Sequence, residues 1–161
     1  MPDFGRRGFF GALGAAVMKE GKIRPPYAAD LTLFGKECPS CEGMCLSVCE
    51  EHVIAIGKDR IPYLDFSESG CTYCGACMEA CVPGVLADGT QRIHATVRIN
   101  PLKCVSWQGV MCFSCKEPCM DNAIDFKGLF KPEIDDSKCT SCGFCIGRCP
   151  SEAIETTGYK G

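Results

Sequence analysis

Sixteen of the 161 residues are cysteine, and their spacing limits what this chain can fold into more than any other property. They fall into four groups of four with none left over. The groups are Cys38, Cys41, Cys45, Cys49; Cys71, Cys74, Cys77, Cys81; Cys104, Cys112, Cys115, Cys119; and Cys139, Cys142, Cys145, Cys149. The second and fourth read C-x2-C-x2-C-x3-C, and the fourth ends in Cys149-Pro150.

That is the run by which bacterial ferredoxins hold [4Fe–4S] clusters. Three cysteines so close together can wrap three corners of one cubane, because the short loop bends around it. Gly75 and Gly143 follow the second cysteine and let backbone N–H groups approach without a side chain in the way. The fourth cysteine opens the next element, and in two-cluster ferredoxins it ligates the other cluster. Zinc prefers a tetrahedral site from two separated C-x2-C knuckles, which a third cysteine two residues on fits poorly. Disulfides are the default of small secreted chains, but this crowding favours shuffling over stapling. All sixteen cysteines are therefore expected to be metal ligands, for four clusters, or three if the Cys104–Cys119 group is empty.

The groups sit inside an internal repeat. After each fourth cysteine comes a small or branched pair in the same register: Val53-Ile54, Val85-Leu86, Ala123-Ile124 and Ala153-Ile154. Ile61-Pro62-Tyr63-Leu64-Asp65 runs into Cys71, as Lys131-Pro132-Glu133-Ile134-Asp135 runs into Cys139. Each unit reads as a cluster loop, a short helical turn and two short strands around a polar turn such as Gly57–Arg60 or Lys127-Gly128. The expected fold is α+β, built of tandem ferredoxin-like units over residues 34–66, 67–99, 100–135 and 136–161. Residues 1–33 are expected to be an N-terminal segment and linker, held extended by Pro25 and Pro26. The third group is a diverged unit, in which Val105 to Met111, with Trp107 and Gly109, lengthens one arm of the site. The first group departs too, with Glu42-Gly43-Met44 between its second and third cysteines and Glu50 where proline is usual. Extra loop there alters hydrogen bonding to the sulfurs and hence the potential.

Bulky aliphatic residues are sparse while glycine (18) and cysteine (16) are abundant, so clusters must serve as much of the core and apo-protein should fold poorly. The formal charge is −3; four oxidised cubanes at about −2 each would bring it to about −11, which argues against nucleic acid as a partner. Gly5-Arg6-Arg7-Gly8-Phe9-Phe10 resembles a twin-arginine export signal. Its apolar stretch is short, Lys19 and Glu20 end it, and no A-x-A site follows. It is far too short to span a bilayer, so no transmembrane segment and a cytoplasmic location are expected. His52 and His94 sit in no acid–base or nucleophile arrangement. The chain is not expected to be an enzyme; it moves electrons or assists a partner.

An N-terminal Arg-Arg-Gly-Phe, then Arg24-Pro25-Pro26-Tyr27-Ala28, then four cysteine groups of which the third carries Gly109-Val110-Met111-Cys112, is similar to the NapF family. These are ferredoxin-type accessory proteins of the periplasmic nitrate reductase system, and the likeness covers nearly the whole chain. The resemblance implies a cytoplasmic protein that contacts the catalytic subunit of periplasmic nitrate reductase before export and assists its maturation. The alternative is an electron-transfer subunit of a membrane-linked or molybdenum oxidoreductase complex, with another redox protein as partner; a redox sensor is a weaker third. Fourth cysteines could be exchanged between units one and four and units two and three, or between neighbours.

Overall fold

Each α-helix is little more than one turn, and glycine sets where three of the four begin. In the computed structural model, which describes residues 21–28, 30–87 and 91–158, the helices are α1 (Leu33–Glu37), α2 (Met44–Ser47), α3 (Ala76–Glu79) and α4 (Phe144–Gly147). Gly43, Gly75 and Gly143 precede α2, α3 and α4 with φ of 77°, 83° and 89°, a left-handed conformation that costs a residue with a Cβ more than it costs glycine. The one-residue extension in the first group thus keeps its glycine at the helix start. The twin-arginine stretch, residues 6–18, lies outside the described residues.

The strands confirm an α+β mixture. β1 (Ile54–Ile56) and β2 (Pro62–Leu64) form one antiparallel hairpin, and β4 (Ile124–Lys127) and β5 (Phe130–Ile134) form another. These are the two strands expected after the first and third cysteine groups. After the second and fourth groups the pattern differs, because the outgoing chain pairs with an incoming segment instead of folding back on itself. Leu86 bridges to Ala28, and the Ala87 amide donates to the Tyr27 carbonyl at 3.0 Å. β6 (Ile154–Gly158) pairs antiparallel with β3 (Ala95–Ile99), Ile154 opposite Ile99. The same layout of central hairpin plus closing pair thus occurs twice along the chain.

This pairing also changes the role of the proline-rich stretch. Expected as a linker, Arg24 to Ala28 is core: Tyr27 and Ala28 are buried, Pro26 is among the fully buried side chains, and the Arg24 guanidinium bonds the Pro62 carbonyl at 2.8 Å. Prolines lock φ at 25 and 26, but the expected extended course is broken. The chain turns at Pro26 and Tyr27, where Tyr27 has φ of 71°, and so sets Ala28 opposite Leu86.

The pairs after the fourth cysteines form the centre of the packing. Val53, Ile54, Val85, Leu86, Ala123, Ile124, Ala153 and Ile154 are all buried. The residue before each pair (His52, Gly84, Asn122, Glu152) has positive φ, so the chain reverses just after the cysteine and turns the pair inward. The buried residues divide into two clusters, and Ile146 of α4 packs against both. Phe34, 1% exposed, is among the largest fully buried side chains. Phe34→Ala should cost about 3–5 kcal/mol, the usual toll of a phenylalanine-sized cavity. Denaturant unfolding of anaerobic protein would measure it, and a loss below about 1 kcal/mol would show that the site collapses freely.

Candidate metal centres

The four cavities of interest are each lined by four cysteines, three from one group and one from its neighbour. Cys38, Cys41 and Cys45 share the first with Cys81. Cys71, Cys74 and Cys77 share the second with Cys49. Cys104, Cys112 and Cys115 share the third with Cys149, and Cys139, Cys142 and Cys145 share the fourth with Cys119. The sequence left open whether fourth cysteines pass between neighbours or between distant groups. In the fold they pass between neighbours, first with second and third with fourth. The short helix in three groups, and a run of turns over 114–118 in the third, is followed by a cysteine that lines the adjacent cavity.

The electrostatics follow the same grouping. Burial, and after it the neighbouring Cys45, Cys81 and Cys41, pushes the Cys38 thiol up to about 11. Burial pushes Cys77 to about 12, with Cys71, Cys45, Cys74 and Cys49 adding to the effect. Cys115 rises to about 11 through burial, with Cys104, Cys112 and Cys149 contributing. Cys145 rises to about 12 through burial, then Cys142, Cys139, Cys115 and Cys119. Four thiolates so close and so desolvated repel one another, and only a compensating cationic core makes the ionised set favourable.

Nature and size of that core are constrained by the donors. All sixteen cysteines lie within the described residues and none is in a disulfide. Among the described residues no three His, Cys, Asp or Glu side chains converge on a point as a single ion would require. Zinc needs sulfur at about 2.3 Å on every side, whereas these sulfurs surround a cavity. An all-sulfur set around a small, mostly apolar void suits an iron–sulfur core. Such a core supplies one-electron redox capacity without proton transfer.

Backbone amides aimed at sulfur complete the cradle. The amides of Gly43, Tyr73 and Leu86 donate to Cys41, Cys71 and Cys81 Sγ at 3.5, 3.4 and 3.4 Å. Those of Ala123 and Ala153 donate to Cys119 and Cys149 Sγ at 3.3 and 3.2 Å. At Cys149 burial pushes the thiol up, but the amides of Ala153, Ser151 and Ile154 and the Ser151 hydroxyl outweigh it, so its pKa is lowered. Hydrogen bonds to ligand sulfur stabilise negative charge and tune the reduction potential. The register of the buried pairs encodes those to Cys81, Cys119 and Cys149, a signal the sequence carries but that is easily missed.

The third group closes a cavity despite its loose spacing. Residues 105–111 form a run of turns, with the Gln108, Gly109 and Val110 amides bonded to carbonyls of 104–106. Trp107 Nε1 donates to the Pro132 carbonyl at 3.2 Å, and the Lys131 ammonium lies 5.7 Å over the indole ring. The insertion is pinned to β5, and Cys104 reaches the cavity beside Cys112 and Cys115. Phe113 stands where the second and fourth groups have glycine, and packs tilted against Phe126, with ring centroids 4.8 Å apart. His52 and His94 are both exposed.

These features define a ferredoxin-type iron–sulfur protein, and residues 132–155 match the 4Fe-4S binding domain family. The chain is 29% identical over 156 residues to ferredoxin-type protein NapF of Escherichia coli (strain K12), covering 94% of this chain and 93% of that protein. It is 32% identical over 142 residues to ferredoxin-type protein NapF of Haemophilus influenzae, covering 86% and 80%. It is 35% identical over 120 residues to a subunit of the ion-translocating oxidoreductase complex of Methanosarcina acetivorans, covering 70% of this chain but 44% of that one. The chain belongs to the NapF family of ferredoxin-type proteins. No helix among the described residues is long and apolar enough to cross a membrane.

Proposed function

We propose that this protein carries four [4Fe–4S] clusters, one in each four-cysteine cavity, and assists cytoplasmic maturation of the catalytic subunit of periplasmic nitrate reductase before that subunit is exported. The observation that carries the first half is the sorting of sixteen cysteines into four cavities with four cysteines each. The repeated layout of hairpin and closing pair supports four tandem units working in two pairs. Membership of the NapF family supports the second half. The residues' part is to hold charge: buried cysteine thiolates balance the metal core, and amides such as those of Ala123 and Ala153 share the added charge when an electron arrives. Besides cysteine the linings carry Glu50 and Glu51 in the second cavity and Asp121 in the fourth. On this reading the protein's own part is charge transfer, and bond-making belongs to the partner.

A second reading, an electron-transfer subunit of an oxidoreductase complex, is favoured by the likeness to the M. acetivorans protein. An anaerobic pull-down from native cells separates the two. A cytoplasmic reductase precursor as the main partner is expected; a stable membrane complex instead would favour the second. The location follows a separate test. Residues Met1 to Lys22 fused to a reporter active only after twin-arginine export should give no export, and export depending on Arg6 and Arg7 would overturn the cytoplasmic assignment.

A further inference from the structure

The two halves of the chain meet along a seam in which backbone touches backbone. The Cys71 amide donates to the Cys142 carbonyl at 2.7 Å, so a ligand of the second cavity bonds directly to a ligand of the fourth. Tyr73, between Cys71 and Cys74, donates its hydroxyl to the Thr140 carbonyl. Across the seam glycines replace side chains. A Cβ on Gly70 would lie 2.5 Å from the Phe144 nitrogen and 2.7 Å from the Cys142 oxygen. One on Gly147 would lie 2.7 Å from the Ser67 oxygen. Neither glycine has positive φ, so conformational freedom does not explain them; space does. No hydrogen bond among the described residues joins the first group's loop, 38–49, to the third's, 104–119.

Resting on the four-cluster reading above, we infer that Gly70, Gly147 and Tyr73 are positioning residues for electron transfer between the two halves. They bring the second and fourth sites together and so order the four as first, second, fourth, third. Within each half, exchanged cysteines already couple the pair: Cys49 and Cys81 link first to second, Cys119 and Cys149 link third to fourth. The missing link is the seam. Its bonded path runs from Cys71 Sγ through Cβ, Cα and the amide, across the hydrogen bond, and back through the Cys142 carbonyl carbon, Cα and Cβ to Sγ. One electron crosses: one inner site is oxidised as the other is reduced, and no proton or covalent bond moves. A low-potential one-electron donor loads an outer site. The first and third sites are then the two ports of the protein, and the third port lies beside exposed Val110, Met111 and Phe113.

Full-length protein, purified anaerobically and fully reduced with dithionite, provides the test by EPR of the magnetic interaction among sites. Gly35→Ala is the control, since a Cβ there meets nothing within 4 Å. Gly70→Ala and Gly147→Ala should keep their full iron and lose one component of the interaction, the spectrum simplifying to that of two independent pairs. Full iron with a spectrum matching the control overturns the inference. Iron lost from the inner sites alone also overturns it, because the seam would then be holding ligands rather than aligning sites. Should both glycine variants fail to fold, Tyr73→Phe keeps the backbone contact and should weaken the same component, and an unchanged spectrum there is equally fatal. Parent protein with no iron–sulfur signal would sink the four-cluster reading as well, a result distinct from iron-replete protein whose halves do not interact.

Discussion

Anaerobically purified Cys112→Ala/Cys115→Ala protein should contain about a quarter less iron than its parent, about twelve irons in place of about sixteen, because one cubane's worth is missing. The third cavity loses two of the four sulfurs that line it, Cys104 and Cys149 remaining, and two ligands cannot retain a cubane. The same experiment resolves the exchange of ligands when alkylation by iodoacetamide, read by mass spectrometry, marks thiols freed from metal. In Cys49→Ala the newly labelled residues should be Cys71, Cys74 and Cys77, which share its cavity, rather than its sequence neighbours Cys38, Cys41 and Cys45. In Cys119→Ala they should be Cys139, Cys142 and Cys145. Labelling of Cys139, Cys142 and Cys145 in Cys49→Ala would mean exchange between the first and fourth units. Iron unchanged in the double variant would leave only three clusters, with the third group a structural remnant.

The cysteine groups that line the cavities and the buried pairs were legible in the sequence because both are local. A cysteine run is read within a dozen residues, and Val53-Ile54 or Ala153-Ile154 stands at a fixed distance from it. The third group was legible only through register: its spacing is loose, but Ala123-Ile124 falls where the repeat demands and is buried. What stayed hidden depends on pairing across distance. Nothing near Leu86 announces that its partner is Ala28, or that β3 waits for β6 rather than for its own neighbour. Residues 24–28 look like a linker because prolines are common in linkers, and the same fixed φ serves a buried turn equally well. Gly70 and Gly147 look like ordinary loop or helix glycines until the opposite backbone is in view. The exchange of fourth cysteines falls in the same class, since a spacing rule fixes three corners of a cubane and leaves the fourth to topology.

Single Cys→Ser changes in the second or fourth group, at Cys74 or Cys142, should lower nitrate reductase activity towards that of cells lacking this protein, even when an artificial electron donor drives the assay. Both residues line inner cavities, so either change breaks the sequence of sites in its middle while leaving the outer surfaces free to bind a partner. Were the protein only a conduit, an artificial donor would bypass the break and restore full turnover, because the reductase itself would be complete. A maturation factor behaves differently: the defect is left in the partner, and no external supply of electrons repairs an enzyme that was never finished. Assays of the same cells with the physiological and the artificial donor therefore decide between the two. Low activity with both is expected. Low activity with the physiological donor but full activity with the artificial one would eliminate maturation and leave electron transfer. Immunoblots of the reductase in both compartments complete the comparison. Precursor held back before export, or exported protein without activity, fits a maturation defect, whereas normal amounts of active enzyme do not.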